Sequence, residues 1–376
     1  MTKQTNNSNP SSNHIDLMKV AFSLARRGLG NVWPNPAVGC IIVRNGRIVG
    51  RGWTQPGGRP HAEAMALKQA GKKAAGSTAY VNLEPCNHTG KSPPCTEALI
   101  EAGIKEIYGS LLDPDPRVSG TGFERLKKAK IQVNIGLLSE TAREINEGFF
   151  LRINEGRPFL TFKTATTIDG KIATKNGESN WITGKEARSF THLLRSTHDA
   201  TLVGSGTALA DNPDLTSRLP GVDNKRRPRI ILDRGLRLPL DSRLVMSAKE
   251  APVWLITRYD HPPSKLQIYK DRYIDLILMP PGDTGQSDIV SAMQQLGSRG
   301  LTRILVEGGN HVASSLFAAD LIDQLVWFRA PKILGNGALS AIGNLNIDKL
   351  SEMPIFVRQL STNIGKDFLE ILSRSR

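Results

Sequence analysis

Two stretches decide how the first half of the chain is built: His61-Ala62-Glu63, and Leu83-Glu84-Pro85-Cys86-Asn87-His88-Thr89-Gly90-Lys91-Ser92-Pro93-Pro94-Cys95. One histidine, a glutamate two residues on and two proline-preceded cysteines are the composition of a catalytic zinc site. His61, Cys86 and Cys95 would be the ligands, with one position left open for water. A helix beginning at His61 aims the imidazole at the end of the preceding loop, Cys86 follows a short strand, and Cys95 opens the next helix. The three can meet in one crevice, where helix N-termini favour the thiolate that zinc requires. Glu63 can reach a water on the metal without ligating it. Zinc lowers that water's pKa to about 7, and Glu63 can take its proton, pass it to a ring nitrogen and help ammonia leave. A structural site with His88 as fourth ligand, or two merely buried thiols, are the competing readings. Cys40, inside an apolar strand, reads as core.

Outward from there, Ile15, Leu17, Met18, Phe22, Leu24 and Ala25 predict a helix over 14–27, ended by Gly28. Trp33-Pro34-Asn35-Pro36 is a turn-rich loop, because each proline restricts itself and the residue before it. Residues 37–43 read as a buried strand, and Asn45-Gly46 turns it into another over 47–50. A helix over 61–71, a strand over 79–83, a helix over 96–102 and strands over 104–112 and 133–136 follow. The alternation predicts an α/β layered domain over 14–152. Residues 148–158 look like the passage to a second unit, over 157–376. That unit is again α/β, with strands at 159–165, 200–204, 229–233, 253–257, 275–279, 303–307 and 324–330. Helical patterns fall at 184–196, 289–297 and 312–319. Gly204-Ser205-Gly206-Thr207 after an apolar strand lacks the third glycine of a dinucleotide loop. Val306-Glu307-Gly308-Gly309-Asn310-His311 is fuller: a strand, paired glycines, then a helix, so that free backbone N–H groups point at an anion.

The bulk numbers bound the partners. The chain of 376 residues suits two domains, and 39% hydrophobic with 22% charged residues is ordinary for a soluble globular protein. Residues 1–13 are polar, without the apolar stretch of a secretory signal, and read as a disordered tail. No apolar run approaches the roughly 18 residues of a membrane span. Three cysteines, two of them in a metal-like context, argue for a reducing cytoplasm. The net charge of +14 is spread evenly: residues 1–155 carry 20 Lys+Arg against 13 Asp+Glu, half of the excess. That suits small anionic ligands better than a polynucleotide track.

The spacing of the cysteines is informative. Zinc deaminases pair a His-x-Glu with two cysteines usually separated by two residues, whereas eight separate Cys86 from Cys95. With Asn35-Pro36-Ala37-Val38-Gly39 and Asp113-Pro114-Asp115-Pro116-Arg117-Val118-Ser119-Gly120-Thr121-Gly122, these motifs closely resemble the bifunctional riboflavin-biosynthesis deaminase/reductase family. The resemblance implies a cytidine-deaminase-like αβα layered domain that hydrolyses the 2-amino group of a diaminopyrimidinone ribosylamine 5′-phosphate. Asn35 would meet the pyrimidine edge, while His88 and Lys91 would hold the substrate phosphate. The wide cysteine spacing makes room for Lys91. Asp115 stands where the family often carries Asn, so it is given no substrate role.

The second half resembles the reductase domain of the same family. The matching motifs are Lys163-Thr164-Ala165-Thr166-Thr167-Ile168-Asp169-Gly170-Lys171, Gly177-Glu178-Ser179-Asn180-Trp181-Ile182-Thr183, Arg195, Asp211-Asn212-Pro213-Asp214-Leu215-Thr216 and the two glycine turns. The resemblance implies a dihydrofolate-reductase-like α/β fold using NADPH. Residue by residue, it implies that Ala165, Trp181, Thr207, Asp211, Gly309, Asn310 and His311 contact the cofactor. Ser179, Arg195, Leu215, Arg218 and Glu307 would hold the ribosylamino substrate. Hydride would reduce C1′ of the opened imine to give the ribityl chain, with the protein orienting ring, imine and phosphate. Lys163 and Asp169 are candidates for proton supply. Arg234 stands where some relatives carry a small residue and is left out of the cofactor set, and the basic loop 219–227 has no evident counterpart. The alternative is a nucleobase deaminase acting on nucleic acid through a C-terminal binding domain. Residues 157–376 lack the aromatic and basic stripe that would need. The expected partners are therefore small phosphorylated pyrimidines, with no nucleic acid and no membrane, in a cytoplasmic homo-oligomer holding zinc and NADPH.

Overall fold

The computed structural model describes residues 12–89, 93–225, 227–281 and 289–375. The chain divides into two compact units, Met1–Glu155 and Gly156–Arg376. In the first, α1 (Ser12–Arg26), β1 (Gly39–Arg44), β2 (Arg47–Trp53), α2 (Ala62–Ala70) and β3 (Thr78–Val81) are followed by α3 (Cys95–Glu101) and β4 (Glu106–Gly109). The unit closes with α4 (Thr121–Lys128), β5 (Gln132–Ile135) and α5 (Ser139–Glu155).

The five strands lie in the order β2-β1-β3-β4-β5. β1 is antiparallel to both neighbours, and β3, β4 and β5 run parallel. β1 shows why two layers of helix form. Its alternate residues feed separate cores, Cys40 and Ile42 packing with Ala62, Ala66, Leu99 and Phe123, and Ile41 and Val43 with Met18, Phe22 and Ile145. A strand buried on both faces needs this uninterrupted apolar run. Glycine sets how closely α2 approaches: a Cβ on Gly52 would lie 2.0 Å from the Ala62 carbonyl oxygen. Contact of helix backbone with strand backbone fixes the first turn of α2, where His61 and Glu63 stand.

The second unit contains β6 (Phe159–Thr167), β7 (Lys171–Ala173), α6 (Lys185–Thr197), β8 (Ala200–Gly204), α7 (Ser205–Asp211) and β9 (Arg229–Leu232). It continues with α8 (Arg243–Met246), β10 (Val253–Arg258), α9 (Pro263–Lys270), β11 (Ile274–Met279), α10 (Ile289–Ser298) and β12 (Arg303–Glu307). Then come α11 (Asn310–Ala318), β13 (Gln324–Ala330), β14 (Leu339–Ser340), β15 (Phe356–Ile364) and β16 (Asp367–Arg374). The nine-stranded sheet has the order β11-β10-β9-β8-β12-β6-β13-β16-β15, and β7 and β14 form a separate ribbon. From β11 to β13 every pairing is parallel, and the β15–β16 hairpin adds the antiparallel edge. Parallel strands are covered on both faces, which is why β8 is buried along its whole length and β12 through Ile304-Leu305-Val306.

Several sequence expectations change. Residues 148–155, expected as a passage between units, are the last turns of α5, and Phe149, Phe150 and Leu151 are buried there. The strand expected over 104–112 is confined to Glu106–Gly109. Gly204 does not begin a loop but caps α7. The terminal hairpin, α4 and the β7–β14 ribbon had no counterpart in the sequence reading. Of the expected tail over 1–13, residues 1–11 lie outside those described, and Ser12 and Asn13 belong to α1.

Candidate active sites

In the first unit, His61 precedes α2 in extended conformation, Cys86 lies in the segment after β3, and Cys95 is the first residue of α3. His61 Nδ1 is 3.5 Å from Cys86 Sγ and 3.4 Å from Cys95 Sγ, and all three donor atoms lie within 4.8 Å of one another. A tetrahedral zinc with bonds of about 2.0–2.3 Å puts its ligands roughly 3.6 Å apart, so the donor set fits that ion. Among the described residues this group has three members, and His88 is not one of them. That leaves a fourth corner open and disfavours the closed structural site.

The electrostatics match. Cys86 accepts from the Cys95 thiol and backbone N–H (3.4 Å) and from His61, which pull its pKa down to about 4. Cys95, donating to Cys86 and buried, is pushed well up. The pair thus shares one proton, which a metal would displace. The hydrogen bond with Cys86 raises His61 against the effect of burial. Glu63, 4% exposed, is pushed up to about 7, chiefly by burial, with His61 opposing and Cys86 adding. A carboxyl poised near neutrality suits a proton carrier.

Asn35 is half-buried and donates to the Gly58 carbonyl at 3.1 Å. His88 is half-buried, its Nδ1 has no hydrogen-bond partner, and its charge helps hold the Asp115 carboxyl low, after the larger effect of Arg117. Lys91 lies outside the described residues. Sequence reasoning gave no role to Glu84. Its carboxylate accepts from the backbone N–H of Asp113 (3.1 Å), Gly120 (2.8 Å), Gly122 (2.8 Å) and Phe123 (3.2 Å). One buried side chain thereby clips the Asp113–Phe123 loop to the segment that carries Cys86. The Glu-Pro-Cys order was visible, but the amides it serves lie up to 39 residues away.

In the second unit a cavity of about 1100 Å³ opens beside the ends of β8, β9 and β12, lined by Thr207, Gly309, Asn310 and His311 of the expected cofactor set. That is enough for a dinucleotide, since ligand pockets run to about 1,000 Å³. Gly308 (φ +71°) and Gly309 (φ +81°) bring β12 into α11, and a Cβ on Gly309 would meet Thr207 Oγ1 at 3.1 Å. The free N–H groups of α11 therefore open onto the cavity, a fit for a pyrophosphate. Arg234, omitted from the expected set, also lines it, with Arg237 and Asn344.

Ala165, Trp181 and Asp211 are not among the lining residues. Asp211 accepts from Ser179 Oγ at 3.4 Å, and burial pushes its carboxyl up. Trp181 is 64% exposed, with the Arg188 guanidinium 4.6 Å from its ring centroid. Arg195 and Glu307, both expected to hold the substrate, pair with each other. Arg218 lies against His192, its backbone N 3.3 Å from Nδ1 and its Nε 3.3 Å from Nε2. Leu215 is buried in the core, with φ +56°. Lys163 pairs in register with Glu307 across β6 and β12, and burial lowers its pKa. Asp169 is consumed structurally, accepting from Thr167 Oγ1 (2.6 Å) and Gly335 N–H (2.7 Å).

Comparison with known proteins agrees with both halves. The profile of the RibD C-terminal domain matches residues 158–367, and that of the cytidine and deoxycytidylate deaminase zinc-binding region matches residues 11–110. The riboflavin biosynthesis protein RibD of Aquifex aeolicus is 41% identical over 95% of this chain and 97% of its own. That of Escherichia coli is 39% identical over 93% and 96%. Among solved structures, Acinetobacter baumannii RibD superposes with TM-score 0.87 at 33% identity, covering 97% of this chain and 99% of its own. The deaminase/reductase of Thermotoga maritima gives TM-score 0.83 at 35% identity, covering 96% and 99%. The two folds are thus cytidine-deaminase-like and dihydrofolate-reductase-like. No helix among the described residues is long and apolar enough to cross a membrane. With near-complete coverage at that identity, a three-donor zinc group in one unit and a dinucleotide cavity in the other, the chain belongs to the RibD family of riboflavin biosynthesis, whose members join a zinc-dependent pyrimidine deaminase to an NADPH-dependent reductase.

Proposed function

We propose that the domain over 14–152 removes the 2-amino group of 2,5-diamino-6-ribosylamino-4(3H)-pyrimidinone 5′-phosphate. The domain over 157–376 then reduces the ribosyl group, giving 5-amino-6-ribitylamino-uracil 5′-phosphate. The observation that carries the reading is that Cys86 and Cys95 Sγ lie 3.5 and 3.4 Å from His61 Nδ1, with Glu63 buried near them. Zinc held by those three would supply an acidified water. Glu63 would carry the first proton of that water to the pyrimidine nitrogen as the hydroxyl adds to the ring carbon, and would then carry the remaining hydroxyl proton to the amine, which leaves as ammonia while the carbonyl forms. Asn35 holds the pyrimidine edge, and His88 with Lys91 holds the 5′-phosphate.

In the reductase, Ala165, Trp181, Thr207, Asp211, Gly309, Asn310 and His311 position the cofactor, which supplies hydride to C1′. Ser179, Arg195, Leu215, Arg218 and Glu307 hold the ribosylamino substrate, with the phosphate on the arginines. We assign the chain to the cytoplasm as a homo-oligomer acting on small phosphorylated pyrimidines and not on nucleic acid. Exposed apolar side chains on and near the β15 edge, among them Leu350, Ile355, Val357 and Leu360, favour a partner copy there.

The test is Glu63→Gln. Ammonia release should be abolished while zinc content and NADPH oxidation on the deaminated substrate persist. If both activities fell together, the separable two-site reading would be wrong.

A further inference from the structure

We infer that Asn82, Asn146 and Thr54 are positioning residues of the deaminase, which together fix the Asn35 amide against the pyrimidine edge. The inference rests on the deaminase reading above, in which Asn35 touches the substrate. Asn35 stands between Pro34 and Pro36, so neither neighbour has a backbone N–H to anchor it. Its own N–H donates to the Val32 carbonyl at 3.0 Å. Beyond it, the chain is held by three buried polar side chains, Asn82, Asn146 and Thr54, each at most 3% exposed.

Those three residues account for every polar backbone group from the Pro36 carbonyl to the Gly39 amide. Thr54 Oγ1 donates to the Pro36 carbonyl at 3.1 Å and accepts from the Val38 N–H at 3.0 Å, and the Thr54 N–H donates to the Val38 carbonyl at 2.9 Å. Asn146 Oδ1 accepts from the Ala37 N–H at 2.8 Å, and its Nδ2 donates to the Ala37 carbonyl at 3.1 Å. Asn82 Nδ2 donates to the same carbonyl at 3.1 Å, while its Oδ1 accepts from the Gly39 N–H at 2.8 Å. Each asparagine uses both ends of its amide, so neither can turn over without setting like against like. The peptides that follow Asn35 are pinned from three sides.

The origin of each brace ties Asn35 to the zinc donors. Thr54 follows β2 on the way to His61, and Asn82 follows β3 on the way to Cys86. Asn146 reaches Ala37 from α5, 109 residues along the chain. The head group of Asn35 is confined by the segment before His61 as well. Its Nδ2 donates to the Gly58 carbonyl, and a Cβ on Gly58 would lie 1.8 Å from that nitrogen. The amide has a second N–H and an acceptor oxygen to offer the ring. Asn35 and the zinc group must serve one pyrimidine at once, and a misplacement of about 1 Å in such an arrangement can cost on the order of 100-fold. Braces rooted in the segments that carry His61 and Cys86 set that spacing.

The test measures kcat and KM for ammonia release by the full-length chain, with zinc content and NADPH oxidation on the deaminated substrate as controls. Asn146→Asp sets an oxygen against the Ala37 carbonyl, and Thr54→Val removes the hydroxyl. Each should raise KM about tenfold, with kcat, zinc content and the reductase within about threefold of wild type. Thr54→Ser, which keeps the hydroxyl, should restore the wild-type KM. Asn35→Ala should raise KM at least as much, and adding Asn146→Asp to it should change KM by less than about threefold, because a brace acts only through what it places. Additive losses in that double variant, zinc loss in step with activity, or an unchanged KM in Asn146→Asp and Thr54→Val would overturn the assignment. Should Asn146→Asp fail to fold, the Thr54 pair decides: a rise confined to the valine variant supports the assignment, and equal KM values overturn it. An unaltered KM in Asn35→Ala would instead remove Asn35 from the substrate, and this inference with it. A wild-type chain that released no ammonia would overturn the deaminase reading itself.

Discussion

Arg195 and Glu307 face each other through two parallel hydrogen bonds, Nε to Oε1 at 2.5 Å and Nη2 to Oε2 at 2.9 Å, although 112 residues separate them. The third arm of the guanidinium, Nη1, donates to the Thr216 carbonyl at 3.0 Å. Burial pushes the Glu307 carboxyl up, but Arg195 and then Lys163 outweigh it and hold it below the usual range. One carboxylate therefore balances two enclosed cations. Removing one partner of such a group leaves charge uncompensated, at a cost of about 3–5 kcal/mol. Glu307→Ala should lose about that much in urea unfolding of the second unit and abolish the reductase, leaving ammonia release intact. A loss below about 1 kcal/mol would mean that water reaches the pair freely.

Zinc should enter the first unit in exchange for protons. With Cys86 already drawn down to about 4 and Cys95 pushed well up, the free site at pH 7 keeps the Cys95 proton, and the raised His61 holds part of another. Metal loading should release about one to two protons, and apparent affinity should weaken as pH falls. Titration calorimetry of zinc-stripped protein in buffers of different ionisation enthalpy counts them. Release of none would contradict the shared-proton arrangement. Cys95→Ser should abolish tight loading.

What the sequence revealed was what is local. His61 and Glu63 stand two residues apart, and each cysteine follows a proline that marks an element boundary, so the zinc group could be read without the fold. The parallel strands were readable because burial on both faces leaves short, mostly apolar runs, as in Ala200–Gly204. α5 escaped because residues 148–158 read as the passage to a second unit. Yet Ala142, Ile145 and Phe149 keep helical spacing into it and are buried. β15 escaped for the opposite reason: most of its side chains are exposed, so no alternation marks it, and backbone pairing to β16 holds it. Arg234 was left out because some relatives carry a small residue there, and its place in the cavity lining is a property of the folded sheet that no local pattern marks.

His198 supplies a pH dependence. Its Nδ1 lies 2.7 Å from the Leu194 carbonyl and its Nε2 2.9 Å from Thr161 Oγ1, and the ring is buried. Burial, with Arg303 nearby, pushes it down to about 3. The unfolded chain takes up this proton near pH 6.5, as an ordinary histidine does. Between those values the unfolded state binds more protons. The stability from the neutral ring is complete above about 6.5 and falls by up to about 1.4 kcal/mol per pH unit on acidification. Asp199, raised by burial, works in the opposite direction, so the comparison must be with His198→Gln. The wild-type stability of the second unit should drop more steeply than the variant's between pH 6.5 and 4.5. Parallel curves would show that the ring is protonated when folded.

Glu84 offers the sharpest separation of positioning from chemistry, because it touches neither a zinc donor nor the crevice yet lies two residues before Cys86. Its four backbone amide donors come from Asp113, Gly120 and the first turn of α4. In Glu84→Gln, one oxygen becomes an N–H group that confronts two amides instead of accepting from them. Bonds to a charged acceptor contribute about 1.5–3 kcal/mol, so stability of the first unit should fall by at least about 2 kcal/mol. Groups that orient metal ligands from behind typically change metal affinity 10–100-fold. Zinc affinity, measured by competition with a chelator, should therefore weaken about tenfold, while the fraction of bound zinc that supports ammonia release stays the same. If stability fell and zinc affinity did not, the clip would brace the loop alone, and the placement of Cys86 would have to come from Pro85 and the strand that precedes it.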